Sequence, residues 1–283
     1  MGRIVYLNGD YLPEAEAKVS IFDRGFVMAD AVYEVTTVLA GKLIDFPGHY
    51  ARLKRSLAEL EMPEPLTEAE LLEMNRQLVA RNGIVDGMVY LQVTRGNPGD
   101  RDFLFPEGIP ATVVAFTQEH PGLEAAPKPK SVISVPDIRW GRRDIKTVQL
   151  LYPSMAKTMA VKAGADDAWL LDPEGFVTEG TSNNAYIVKD GRIVTRPLGN
   201  DILHGITRAA ILRLAREAQL TVEERPFTLD EAQAADEAFV TSASQFATPV
   251  VSIDGVVVGN GQPGPVATRL REIYLDEMRR TAL

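Results

Sequence analysis

Cysteine is absent from the 283-residue chain, which excludes disulfides, thiolate metal sites and a cysteine nucleophile. Histidine is scarce: His49, His120 and His204 are scattered and share no metal-ligand spacing. No run reaches the ~18 apolar residues of a membrane span. The opening Gly2-Arg3-Ile4-Val5-Tyr6 heads straight into a strand-like pattern, without the apolar segment of a secretory leader. Lysine and arginine form no long run, aromatics are not interleaved with them, and the net charge is −9. Neither nucleic acid nor an anionic membrane is therefore expected as a partner, and a cytoplasmic protein is expected. What remains is ordinary for a globular chain: 45% hydrophobic residues, 24% charged residues and length for one large or two ordinary domains.

Strand-like runs occupy 3–7, 32–39 and 42–46, with Asn8-Gly9 and Ala40-Gly41 as tight turns. Pro47 then opens a helix whose apolar positions Tyr50, Leu53, Leu57 and Leu60 follow helical spacing. A second helix is expected over 67–82, with Thr67 and Glu70 as a capping box and Gly83 as its stop. Strands follow at 88–94 and 111–117. Residues 119–130 hold three prolines and a glycine and read as a linker. This predicts an N-terminal domain over 1–118 and a C-terminal domain over 131–283. In the latter, strands are expected at 131–135, 167–171, 185–188, 192–195, 221–224 and 237–241, with an Asp190-Gly191 hairpin turn. Helices are expected at 153–163, 206–218 and from about residue 265. Strands and helices do not alternate regularly, so the pattern is α+β with two subdomains.

Chemistry concentrates in a few segments. Lys146 lies in Asp144-Ile145-Lys146-Thr147, behind the cationic stretch Arg139-Trp140-Gly141-Arg142-Arg143. Glu179 follows in Val177-Thr178-Glu179-Gly180, on what reads as a Gly/Ser/Asn loop. An amine that can form a Schiff base, then a carboxylate at that distance, suits pyridoxal 5′-phosphate (PLP) chemistry. The carboxylate would keep the pyridine nitrogen protonated. Arg52, on the Pro47 helix, could offer phosphate a bidentate fork. His204-Gly205-Ile206-Thr207 starts a helix whose free N–H groups suit an anion, and Thr241-Ser242-Ala243-Ser244 is a hydroxyl-rich turn at a strand end. Leu203 could pack on a ring. Arg101 sits in a flexible loop, where it could meet a substrate carboxylate.

Together these segments resemble the fold-type IV PLP enzymes, and within them the D-amino acid aminotransferases. The resemblance is carried by Asp23-Arg24-Gly25, Val32-Tyr33-Glu34-Val35, Tyr50-Ala51-Arg52-Leu53, Val93-Thr94-Arg95-Gly96, Asp144-Ile145-Lys146, Val177-Thr178-Glu179-Gly180, His204-Gly205-Ile206-Thr207-Arg208 and Phe239-Val240-Thr241-Ser242. They stand in the family's order and spacing along the whole chain. The resemblance implies a two-domain α+β fold with PLP between the domains, and a homodimer. It implies ping-pong transfer of an amino group from a D-amino acid to 2-oxoglutarate or pyruvate. Lys146 would hold the cofactor and shuttle the proton, and Glu179 would pair with the pyridine nitrogen. Arg52, Ile206, Thr207, Ser242 and Ala243 would cup the phosphate, with Leu203 under the ring. Tyr33, with Arg139 just behind it, would line the substrate pocket together with Val35, Arg101 and Ser244.

The chain departs from the family in three places. The loop arginine, spacer and histidine are here Arg101-Asp102-Phe103, the segment before Tyr33 is Ala29-Asp30-Ala31, and Ser182-Asn183-Asn184 replaces a more serine-rich loop. An (R)-amine transaminase, a branched-chain L-amino acid aminotransferase and an aminodeoxychorismate lyase remain alternatives on the same fold.

Overall fold

A computed structural model of the chain describes residues 2–283. The architecture is α+β, and the chain divides into two compact units. The first unit runs to Leu123 and also takes in Ile145–Gln149 and Thr281–Leu283; the second holds Glu124–Asp144 and Leu150–Arg280.

The first unit contains β1 (Ile4–Leu7), β2 (Asp10–Pro13), α1 (Arg24–Met28), β3 (Ala31–Leu39), β4 (Lys42–Leu43), α2 (Phe46–Glu59), α3 (Glu68–Asn82), β5 (Gly87–Thr94) and β6 (Thr112–Glu119). Its six strands form one antiparallel sheet in the order β2-β1-β6-β5-β3-β4. β3 is rich in β-branched residues, which suits a pleated and mostly buried strand. Helix α2 packs on β3, and α3 packs on β1 and β6. The capping box forms as expected: Thr67 Oγ1 accepts from the Glu70 N–H, and Glu70 Oε2 accepts from the Thr67 N–H at 2.8 Å. The strand expected over 42–46 is cut short. Phe46 is already helical because Pro47, with its fixed φ, suits the first turn, and the Phe46 ring is buried.

The second unit contains β7 (Lys130–Pro136), α4 (Leu151–Lys162), β8 (Asp167–Leu171), β9 (Val177–Gly180), β10 (Asn184–Lys189), β11 (Arg192–Thr195), α5 (Ile206–Glu217), β12 (Thr221–Glu224), α6 (Leu229–Gln233), β13 (Glu237–Ser242), β14 (Phe246–Ile253), β15 (Val256–Val257) and α7 (Pro265–Thr281). The sheet is mixed, with the order β12-β11-β10-β13-β14-β7-β8-β9 and β15 on β14. Helix α4 covers β7 and β8, α5 covers β12 and β13, and α6 lies on β14. Trp169, Phe227, Val194 and Val240 belong to its core.

Several features differ from the expectation: β2, α1, α6 and β15 were not anticipated, and two further differences bear on the site and the sheet. The segment around Glu179 is not a loop but strand β9, and only Thr181-Ser182-Asn183 turn before β10. Strand β14 was not expected, and it carries Pro249, a residue that argues against a central strand. Pairing with β7 begins only at Val250, so no β7 residue is set opposite the proline. Among the described residues no helix is long and apolar enough to cross a membrane, and no cluster of His, Asp and Glu could hold a metal ion.

Candidate active site

In the first unit, the segment around Lys146 is zipped to the start of β3. The Tyr33 N–H donates to Lys146 O at 3.0 Å and the Val148 N–H donates to Ala31 O at 3.1 Å, with Thr147 bridged to Val32. Ile145 is buried and anchors the stretch. Strand alternation places Tyr33 and Val35 on the half-buried face of β3 and Glu34 on the opposite, buried side. Lys146 Nζ lies 4.1 Å from the centroid of the Tyr33 ring. That ring starts a column: Tyr33 stacks on Tyr90 at 5.6 Å and Tyr90 on Phe116 at 4.8 Å. Burial pushes the Tyr90 hydroxyl up to about 12, so Tyr90 stays neutral at physiological pH. Among the described residues of this unit, no carboxylate lies within ion-pair distance of Lys146 Nζ.

Arg52 is buried on α2 and grips Glu34 with two nitrogens, at 2.8 Å and 2.7 Å. His49 Nδ1 lies 2.8 Å from the same carboxylate. Burial alone would raise the Glu34 carboxyl, but Arg52 and His49 more than offset this and hold it down to about 2. One turn along the helix, Ser56 Oγ accepts the Lys146 N–H at 3.4 Å. His49, Arg52 and Ser56 thus form a polar stripe beside the apolar one. Their spacing of three and four was visible in the sequence, but only Arg52 was singled out.

Glu179 is the centre of the second unit's half. Its Oε1 accepts from Arg139 Nη1 at 2.6 Å, while Oε2 accepts from Asn184 Nδ2 at 3.0 Å and from the Leu203 N–H at 3.1 Å. Arg139 is also gripped by both oxygens of Asp137, at 2.9 Å and 2.7 Å, and Thr178 Oγ1 donates to Asp137 at 2.8 Å. Burial opposes the Arg139 charge, but Glu179 and Asp137 outweigh it and push its pKa up. Burial pushes the Glu179 carboxyl up, against the pull of Arg139 and of the Leu203 N–H. Asn184, Asp137 and the anchoring role of Arg139 were missed from the sequence.

The turn after Glu179 has its own anchor. Asp167, buried at the start of β8, accepts from Thr181 Oγ1 at 2.6 Å and Asn183 Nδ2 at 2.8 Å, and pairs with Lys130 at 3.3 Å. Burial opposes the Asp167 charge, but Lys130 and these donors hold its carboxyl below the usual range.

Asn184 also links the start of α5 to the end of β13. It pairs in register with Thr241, next to Ser242 at the end of β13. Its amide packs so tightly on Gly205 that a Cβ at 205 would lie 2.1 Å from Asn184 Oδ1. Gly205 is the N-cap of α5, whose first residues are Ile206 and buried Thr207; no side chain caps that end. The helix start, Leu203 and the end of β13 at Thr241 therefore meet at one residue, and the turn Ser242-Ala243-Ser244 that follows is half-buried.

Arg101 behaves differently. It sits in an exposed loop of the first unit with its guanidinium 4.7 Å from the Phe103 ring centroid. Asp102 does not pair with it; Asp102 Oδ1 accepts the Leu104 N–H instead, at 3.1 Å. None of Arg101's described contacts is with Lys146, Tyr33 or Val35.

Residues 31–253 match the family model of the amino-transferase class IV proteins, and the chain belongs to that family. It is 41% identical to a D-alanine aminotransferase of Staphylococcus aureus (strain MSSA476) over 270 residues, covering 95% of each protein. It is likewise 41% identical to a D-alanine aminotransferase of Bacillus licheniformis over 283 residues, covering 98% of this chain and 99% of that one. Among solved structures, a T.th. branched-chain amino acid aminotransferase with pyridoxamine 5′-phosphate is similar, with a TM-score of 0.89 and 30% identity over 98% of this chain and 94% of that one. The same enzyme complexed with N-(5′-phosphopyridoxyl)-L-glutamate gives a TM-score of 0.88, again with 30% identity, 98% of this chain and 94% of that one.

Proposed function

We propose that the chain is a PLP-dependent transaminase that moves an amino group from a D-amino acid to a 2-keto acid, 2-oxoglutarate or pyruvate, by a ping-pong mechanism. The observation that carries the cofactor is the donor set. Lys146 is a primary amine without an acid partner in its unit, and Glu179 is a buried carboxylate whose charge burial disfavours. A protonated ring nitrogen complements such a carboxylate, and the uncapped start of α5 complements a phosphate. The D-amino acid substrate rests on the S. aureus and B. licheniformis relatives, both D-alanine aminotransferases.

PLP, when bound, supplies an aldehyde that condenses with amines and a ring that takes up the electron pair left at the substrate Cα. Lys146 Nζ would hold the cofactor and move the proton taken from the substrate Cα, in either direction over the two halves of the cycle. Its place beside the Tyr33 face favours a cation there without fixing it to a carboxylate. Glu179 would keep the ring nitrogen protonated. Arg139, Asn184 and the Leu203 N–H hold that carboxylate in one orientation. Arg52, Ile206, Thr207, Ser242 and Ala243 hold the phosphate, and Leu203 supports the ring. Tyr33, Val35 and Ser244 line the substrate pocket, and Arg101 binds the substrate carboxylate.

The protein works in the cytoplasm as a homodimer without nucleic-acid or membrane partners. Support for self-association comes from α4, where Leu151, Met155 and Met159 expose 76%, 51% and 47% of their surface at spacings of four. The apolar Phe103 beside Arg101 keeps (R)-amines as the second reading.

The test is a half-reaction. The yellow holoenzyme is mixed, without acceptor, with D-alanine, D-glutamate, L-leucine or (R)-1-phenylethylamine, and loss of the yellow absorbance is followed. Fast conversion by the D-amino acids supports the proposal. Faster conversion by L-leucine or by the amine overturns it in favour of that substrate class.

A further inference from the structure

Two arginines of the first unit share one carboxylate oxygen. Arg24 Nε lies 2.7 Å and Arg95 Nε 2.8 Å from Asp30 Oδ2. The three side chains are only 4%, 7% and 10% exposed for Arg24, Arg95 and Asp30. A buried group of two cations and one anion retains an excess positive charge, which needs further acceptors. They are all main-chain carbonyls. Arg95 donates to Leu60 O at 2.7 Å and Glu61 O at 3.3 Å, behind the end of α2. Arg24 donates to Asp102 O at 2.5 Å and Leu104 O at 3.2 Å, on either side of Phe103. The Arg95 guanidinium also lies 3.6 Å from the Phe105 ring centroid, with Arg24 at 5.8 Å.

We propose that Asp30, Arg24 and Arg95 form a brace that sets the conformation of the Arg101 loop, and that Asp30 is thereby a positioning residue for selecting donors that carry a carboxylate. This rests on the reading that Arg101 binds that carboxylate. The donors of Arg24 and Arg95 are committed to Asp30 and to main-chain carbonyls, which leaves exposed Arg101 as the cation of this loop that can meet an anion. Both flanks of Phe103 are tied by carbonyl bonds to Arg24, and Phe105 is pinned by Arg95. Phe103 therefore projects outward in a fixed place, with Arg101 resting on its ring. The loop reaches the substrate already ordered, and its ordering cost is met in folding rather than in binding.

The test compares Asp30→Asn, which weakens the grip on both arginines, with Phe105→Leu, which leaves the ion group intact and removes only the pinned ring. Two readouts are taken on the holoenzymes: trypsin cleavage after Arg101, and steady-state kinetics with D-alanine. For Asp30→Asn, cleavage should accelerate and KM for D-alanine should rise about ten- to a hundredfold, with kcat changed by less than about threefold. Phe105→Leu should move both readouts in the same direction by less. Unchanged cleavage in both variants overturns the brace. Faster cleavage at unchanged KM overturns the positioning role. A wild-type enzyme that does not convert D-alanine overturns the functional reading instead, and the cleavage readout still tests the brace.

Discussion

Glu34 and Glu179 are two glutamates hidden to the same degree, with side chains 3% and 5% exposed, and each faces an arginine. Their carboxyls nonetheless shift in opposite directions, down to about 2 for Glu34 and upward for Glu179. Burial is therefore not what separates them; the completeness of the counter-charge is. Arg52 covers both oxygens of Glu34 with a bidentate fork, and His49 adds a third contact. Arg139 reaches only Oε1 of Glu179 and is shared with Asp137, whose own charge raises the Glu179 carboxyl further. Oε2 has only neutral donors, an amide and a backbone N–H. One carboxylate is finished as a structural ion, and the other still lacks positive charge, which is the need a pyridinium nitrogen would fill.

The largest effect is expected where the counter-charge is complete. Glu34→Gln leaves the Arg52 guanidinium buried without its anion and should cost about 3–5 kcal/mol of stability, read from urea unfolding at pH 7. A loss below about 1 kcal/mol would place Glu34 and Glu179 in the same class. Glu179→Gln should do the reverse. Its urea midpoint at pH 7 should hold or rise, while kcat at saturating PLP falls on the order of a hundred- to a thousandfold. A fall in stability with intact kcat would assign Glu179 a structural role.

The smallest effect is in the pH dependence. A folded carboxyl held at about 2 against an ordinary 4.5 favours the charged form in the native state. Its contribution is present in full above about pH 5 and fades as pH falls through 4.5 towards 2, for a total of about 3 kcal/mol. Glu179 has the opposite sign: its raised carboxyl makes it a burden that grows as pH climbs above 4.5. Urea midpoints of the wild type between pH 5 and 2 should fall more steeply than those of Glu34→Gln. Parallel curves would contradict the depressed Glu34 carboxyl.

What was legible in the sequence was local. The Thr67–Glu70 capping box spans one helical turn, the Asp190-Gly191 turn two residues, and Lys146 and Glu179 stand in short motifs. The partners of those residues were not legible, because they are set by packing between distant segments. Glu34 meets Arg52 across 18 positions, Glu179 meets Arg139 across 40 and Asp30 meets Arg95 across 65. Strand β14 escaped for another reason: Pro249 forbids a central strand only where the neighbour extends past it, and strand length on the far side is not written in the local pattern.

The contact between Gly205 and Asn184 ties two distant parts of the chain together. A methyl group at 205 would collide with the amide that steadies Glu179, so the N-cap of α5 and the orientation of a carboxylate on another strand are coupled. A larger residue at 205 would have to displace the Asn184 amide. A change at either position is therefore felt at the other, although 21 positions separate them in the chain.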